Sequence, residues 1–312
     1  MTQADLSTVF TTPAAAAEPV TQLWIDQQVY DLYDEYCHGD YDRREFLRRA
    51  AKLSVVGGSA LVMAQALLPR YAQAQQIMFT DKRIKAQYVS YDSPGGTSGK
   101  MRGYLVQPEG EGPFPCVLVI HENRGLNPYI EDVARRAAVA GFLALAPDGL
   151  SPIGGYPGND DDGKTMQRSL DQSKLRTDML NSANFLKAHQ LSSGKLGATG
   201  FCWGGGTANY LAATMGDELS AAAPYYGAAA QTSAVPNIKA ALLVHMAEKD
   251  DRINAMWPAY ETALKAAGTR YEQHTYPQTQ HGFHNDSTPR YNEAQAKISW
   301  ERTVAFFRKE LA

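Results

Sequence analysis

Uninterrupted apolar runs alternate with helix-patterned segments along most of this chain, and that alternation constrains the fold more than any other feature. Cys116–His121, Phe142–Ala146, Lys195–Phe201, Ala221–Tyr226, Ala240–Met246 and Tyr271–Tyr276 read as strands. Tyr129–Ala140, Leu170–His189, Gly204–Met215, Trp257–Ala267 and Glu293–Glu310 lie between or after them and read as helices. Strands that are apolar throughout, separated by helices, predict an α/β fold. Its central sheet is mostly parallel, with helices on both faces. Ile84–Tyr91 and Lys100–Gln107 alternate and are joined by Ser93-Pro94-Gly95-Gly96, which predicts an antiparallel pair. Gly149–Gly163 reads as a long loop rich in Gly, Pro and Asp. Such loops often border a site.

The strongest local signal is Gly200-Phe201-Cys202-Trp203-Gly204-Gly205, which follows a strand and opens a helix. It is a nucleophile-elbow pattern with cysteine as the nucleophile. The turn is so sharp that glycines two before and two after are needed for strand and helix to approach. The side chain then stands at a helix N-terminus, where the dipole favours a thiolate. The amide of Trp203 is expected to face a developing oxyanion. A nucleophile needs a base, and the base an orienting acid, here in the order nucleophile, acid, histidine. The strand Ala240–Met246 delivers Ala247-Glu248-Lys249-Asp250-Asp251, and the spacing from Ala247 to Ile253 selects Asp250 over Asp251. The strand Tyr271–Tyr276 delivers His281, which is followed by Gly-Phe and is selected over His284. His245, at a strand end, is expected to be packed and hydrogen-bonded. A metal set of His281, His284 and Asp286 lacks a second convincing ligand group.

The stretches around Cys202 (GFCWGG), Asp250 (AEKDDRI) and His281 (HGF) resemble the dienelactone hydrolase family, within the α/β-hydrolase superfamily, from about Ile84 to the C-terminus. His121-Glu122-Asn123-Arg124-Gly125 strengthens the resemblance, because the family has a glutamate at this place. The resemblance implies that Glu122 sits beside the cysteine and controls its protonation. It also implies that the amide of Asn123 is the second oxyanion donor. One position departs from the family. Members acting on carboxylated lactones carry an arginine shortly after the catalytic histidine, and here the fourth residue on is Asn285, with Arg124 and Arg290 as the nearby cations to consider. The implied activity is hydrolysis of a small ester or lactone, of the carboxymethylenebutenolidase type, with no metal or organic cofactor. The alternatives are a general carboxylesterase or thioesterase, a ligand-binding protein on a hydrolase scaffold, and a thiol redox protein. The last lacks a C-x-x-C pair.

The leader is different in kind. Residues 1–74 hold nine acids and six bases, against 24 of each in the remaining 238 residues, so the body has no basic excess for a nucleic-acid backbone. Within the leader, Asp42-Arg43-Arg44-Glu45-Phe46-Leu47 precedes sixteen uncharged residues, Leu53 to Leu68, and then Ala72-Gln73-Ala74. Basic residues, a short apolar stretch and small residues in that order are the parts of an export signal, and they resemble a twin-arginine signal. The expectation is a leader at 1–74, recognised transiently by the twin-arginine export machinery. Cleavage after Ala74 would leave a hydrolase domain at 75–312, exported and periplasmic. Residues 22–38 read as a short helix ahead of the signal. The sequence leaves the substrate and the oligomeric state open.

Overall fold

The computed structural model describes residues 25–38, 43–53, 60–67 and 74–312. Residues 1–24, 39–42, 54–59 and 68–73 lie outside that set, and with them parts of the expected export signal and the first residues of the helix expected at 22–38. The described residues among the first 74, the expected leader, form three helices, α1 (Gln27–His38), α2 (Arg43–Ala50) and α3 (Ala60–Ala66).

The body follows the expected alternation. A hairpin of β1 (Ile84–Ser93) and β2 (Gly99–Pro108) precedes β3 (Phe114–Ile120), α4 (Pro128–Val139) and β4 (Leu143–Pro147). Then come α5 (Asp160–Ser169), α6 (Gln172–Lys187), β5 (Ser192–Phe201), α7 (Trp203–Met215) and β6 (Ala221–Tyr225). The chain ends with β7 (Ala241–Lys249), α8 (Asp251–Asn254), α9 (Trp257–Ala267), β8 (Tyr271–Gln280) and α10 (Glu293–Glu310). The eight strands form one sheet in the order β1-β2-β4-β3-β5-β6-β7-β8. The β1/β2 and β2/β4 pairs are antiparallel, and the other pairs are parallel. This is an α/β-hydrolase-like architecture.

Strand periodicity divides the core. In β3, Val117 and Val119 face the layer of α4 and α10, where Ile130, Val133, Phe306 and Phe307 are buried. Cys116, Leu118 and Ile120 face the layer of α6, α7 and α9, with Leu175, Met179, Leu211 and Leu264. Successive strand residues point to opposite faces, so an all-apolar strand needs a covered sheet on both sides. Helices α4, α6 and α10 start at side-chain caps: Asn127 accepts from the Ile130 amide, Asp171 from Ser173 and Lys174, and Asn292 from Gln295.

One expectation is corrected. The segment Gly149–Gly163 is not a loop throughout: Ser151–Ile153 is a 3-10 turn and α5 begins at Asp160. Asn159 accepts from the Asp162 amide, and Asp160, Asp161 and Asp162 fill the first turn. An Asn cap and three acids are a helix start, because both suit the positive end of the dipole. The leader helices enclose a third apolar cluster of their own, with Val29, Tyr33, Phe46 and Met63 at its centre. Among the described residues, no helix is long and apolar enough to cross a membrane.

Candidate active site

Of the adjoining parallel strands β3-β5-β6-β7-β8, four lead at their carboxyl ends to the candidate residues. β3 leads to Glu122 and Asn123, β5 to Cys202, β7 to Asp250 and β8 to His281. Ligand sites gather at such carboxyl ends, because the connections there diverge and leave a crevice.

Cys202 holds a φ of 55°, in the left-handed region where a non-glycine residue is strained by about 1–3 kcal/mol. The surrounding glycines make that turn possible. A Cβ on Gly200 would lie 2.3 Å from the carbonyl oxygen of Gly204, and one on Gly204 would lie 2.3 Å from that of Ile120. Any side chain at either position would push α7 off β5 and β3. Cys202 lines a cavity of about 550 Å³ together with His38, Asn123, Trp203, Tyr226 and Arg252.

Asp250 and His281 are both buried, and His281 Nδ1 lies 2.6 Å from Asp250 Oδ2. Asp250 is held in turn as the cap of α8, where its Oδ1 accepts from the Ile253 amide at 3.4 Å. With Nδ1 committed to the carboxylate, Nε2 is the nitrogen left for the sulfur. It is buried and makes no hydrogen bond. Asp251 is exposed as the first residue of α8. His284 is buried and pairs through Nδ1 with the hydroxyl of Tyr129 at 2.7 Å. His245 is buried between Tyr276 Oη and Thr303 Oγ1. Asp286 pairs with Arg136. His284 and Asp286 therefore do not join His281 around a common centre.

Glu122 is buried and accepts from Asn285 Nδ2 at 3.1 Å. Burial pushes its pKa up, Arg124 opposes that, and the nearby sulfur adds to it. The residue that departs from the family pattern therefore touches the glutamate. Arg124 is buried against Asp160 and the Sγ of Cys37. Arg290 is buried over the ring of Tyr33. Asn123 and Trp203 are half-buried at the cavity, with Trp203 stacked on His121 at 5.4 Å. Tyr226 lines the cavity, whereas Tyr225 is packed inside with its hydroxyl on Thr303.

The sequence reading missed what the leader brings. His38, the last residue of α1, places Nε2 3.2 Å from Cys202 Sγ, and its ring meets that of His281 edge to face at 4.8 Å. The Nδ1 of His38 faces Asp34, 2.9 Å from the carbonyl and 3.2 Å from the carboxylate. Asp34 and His38 are four apart on a helix and so share a face, a signal that was present in the sequence. The body grips α1 by its C-terminal carbonyls: Asn123 Nδ2 donates to Cys37 O at 2.7 Å and Lys164 Nζ to Tyr36 O at 2.6 Å. Cations and amide donors suit the negative end of a helix.

These contacts set the charge at the sulfur. Burial raises the Cys202 pKa, but His38 and His281 outweigh it and hold the thiol well below its ordinary value. Burial lowers the pKa of His281, while Asp250 and the sulfur raise it well above the usual imidazole range. Cys116, by contrast, is raised by burial to about 11 and is an inert core thiol.

A family model described as dienelactone hydrolase family matches residues 101–311. A second, described as YqhI-like, matches residues 21–52. The hydrolase fragment YghX of Escherichia coli K12, a candidate hydrolase by its name, is 59% identical over 36% of this chain and 97% of its own length. A candidate carboxymethylenebutenolidase of the same organism is 29% identical over 73% of this chain and 89% of its own. The crystal structure of a candidate dienelactone hydrolase from Klebsiella pneumoniae aligns with a TM-score of 0.64 and 27% identity. That alignment covers 72% of this chain and 99% of the other.

Proposed function

Because this chain belongs to the dienelactone hydrolase family, we propose that it hydrolyses a small ester or lactone through a Cys202–His281–Asp250 triad. Cys202 gives its proton to His281 Nε2, directly or through Glu122, while Asp250 holds the imidazole in the required tautomer, and the thiolate so formed attacks the acyl carbon. The amides of Asn123 and Trp203 stabilise the oxyanion. Collapse breaks the C–O bond, and the alkoxide takes the proton from His281. A water deprotonated by His281 then cleaves the thioester and returns the proton to Cys202.

The observation that carries this reading is the buried His281, bound to Asp250 at 2.6 Å through one nitrogen and unpartnered at the other. An orphaned buried nitrogen is costly unless a reacting proton uses it. Glu122 and Asn285 complete the reading. A carboxylate beside the sulfur opposes thiolate formation, against the two imidazoles that favour it. Asn285 steadies the carboxylate until substrate displaces it.

We also propose that residues 1–74 direct twin-arginine export to the periplasm, with cleavage after Ala74. The ordered signal parts support this, as does the exposure of Arg43 and Arg44 on α2.

Acyl trapping tests the catalytic proposal. An activated aryl ester should leave one acyl group on the protein, and peptide mapping should find it on Cys202. Turnover of the ester with the acyl group on another residue would contradict it.

A further inference from the structure

We propose that Cys202, His38 and His281 form a three-ligand site for a thiophilic divalent cation of the zinc class, which caps the nucleophile in the chain that retains its leader. One ligand atom from each residue lies within 4.8 Å of the other two. His38 Nε2 and Cys202 Sγ are 3.2 Å apart. A tetrahedral zinc ion, with bonds of about 2.3 Å to sulfur and 2.0–2.1 Å to nitrogen, needs roughly 3.5 Å along that edge.

The second set of contacts is what a metal site requires and a simple hydrogen bond does not. A metal-bound histidine presents one nitrogen inward and commits the other to a carboxylate or carbonyl. Both histidines do this: His281 Nδ1 faces Asp250, and His38 Nδ1 faces the carbonyl and carboxylate of Asp34. The inward nitrogen of His281 is buried without a hydrogen bond. One sulfur and two imidazole nitrogens suit zinc and exclude magnesium or calcium, which take oxygen. Cys202 and His38 line the 550 Å³ cavity, which gives room for a water as fourth ligand. One group opposes the cation. Arg252 is exposed at the cavity wall, with a guanidinium nitrogen 3.2 Å from His38 Nε2, and must turn outward.

Binding involves no redox change. Metal–sulfur and metal–nitrogen bonds form, and the protons shared by the three groups leave to solvent. Coordination withdraws electron density from the sulfur and occupies the His281 nitrogen that serves as the base, so the metal form is a resting form. The inference does not need the hydrolase reading, because binding is read without substrate.

Cobalt(II) titration of the metal-free, full-length chain is the test, with the intact N-terminus verified by mass. A thiolate-to-cobalt charge-transfer band should appear, vanish when zinc is added, and be absent in Cys202→Ser. His38→Ala and the more conservative His38→Gln should each weaken cobalt binding at least tenfold, while Arg252→Ala should tighten it. A band that survives Cys202→Ser, no band in the parent, or unchanged affinity in both folded His38 variants would overturn the site. Hydrolysis by the metal-free parent, measured in parallel, judges the hydrolase reading separately.

Discussion

At Cys202 the balance is between burial, which favours the neutral thiol, and two imidazoles that favour the thiolate. Glu122 adds a buried carboxylate on the neutral side. Glu122→Gln removes that charge. It is expected to lower the pH midpoint of Cys202 alkylation by iodoacetamide by about one unit. An unchanged midpoint would remove Glu122 from control of the thiol. Asp250→Asn keeps the shape but changes what His281 Nδ1 meets, and kcat for an aryl ester should fall by up to about 10⁴-fold. Cys202 and Asp250 were readable because each follows a strand whose end is fixed by its apolar run, His281 by its place after a strand and before Gly-Phe, and Glu122 through the family resemblance. His38 was not. Nothing in its neighbourhood says where α1 will dock, since docking depends on groups far along the chain, Asn123 and Lys164.

Among the elements, the β5–α7 turn has the least tolerance. Gly204→Ala would set a methyl group 2.3 Å from a backbone oxygen that cannot move away. We expect a loss of about 1–3 kcal/mol or more in denaturant unfolding. The three leader helices are held differently, by their own apolar cluster. Phe46 is fully buried there, stacked on Tyr36 at 4.9 Å. Phe46→Ala should cost about 3–5 kcal/mol within that cluster. Hydrogen exchange should rise in α1 and α2 but not in β5 or β7, and equal loosening of both would show that leader and body unfold as one. Sequence periodicity found nearly all of the body's strands and helices. It read the first turn of α5 as loop because that helix is polar, with its start marked only by a cap and acids rather than by an apolar stripe.

For the whole molecule, the two covered sheet faces bury histidines as well as hydrocarbon. His245 is pushed well below the usual imidazole range by burial first, and by His274, His284 and Arg302 after that. Its folded pKa is depressed, so below about pH 6.5 the unfolded chain binds a proton that the folded chain refuses. The stability His245 contributes is therefore present above that pH and lost as pH falls toward the folded value. His38 and His281 shift the opposite way, so the test is a difference. The stability advantage of the parent over His245→Asn should shrink between about pH 7.5 and about pH 5.5, by up to roughly 1.4 kcal/mol per pH unit. A constant advantage would mean that His245 takes up its proton as readily in the fold as in the unfolded chain.

The central claim is that Cys202 is the nucleophile of an ester- or lactone-cleaving enzyme. The most direct measurement compares hydrolysis of a short-chain aryl ester by the metal-free full-length protein and by a folded Cys202→Ala variant. The account predicts turnover by the parent and its collapse in the variant, by a factor on the order of 10⁴ or more. A variant as active as the parent would contradict it.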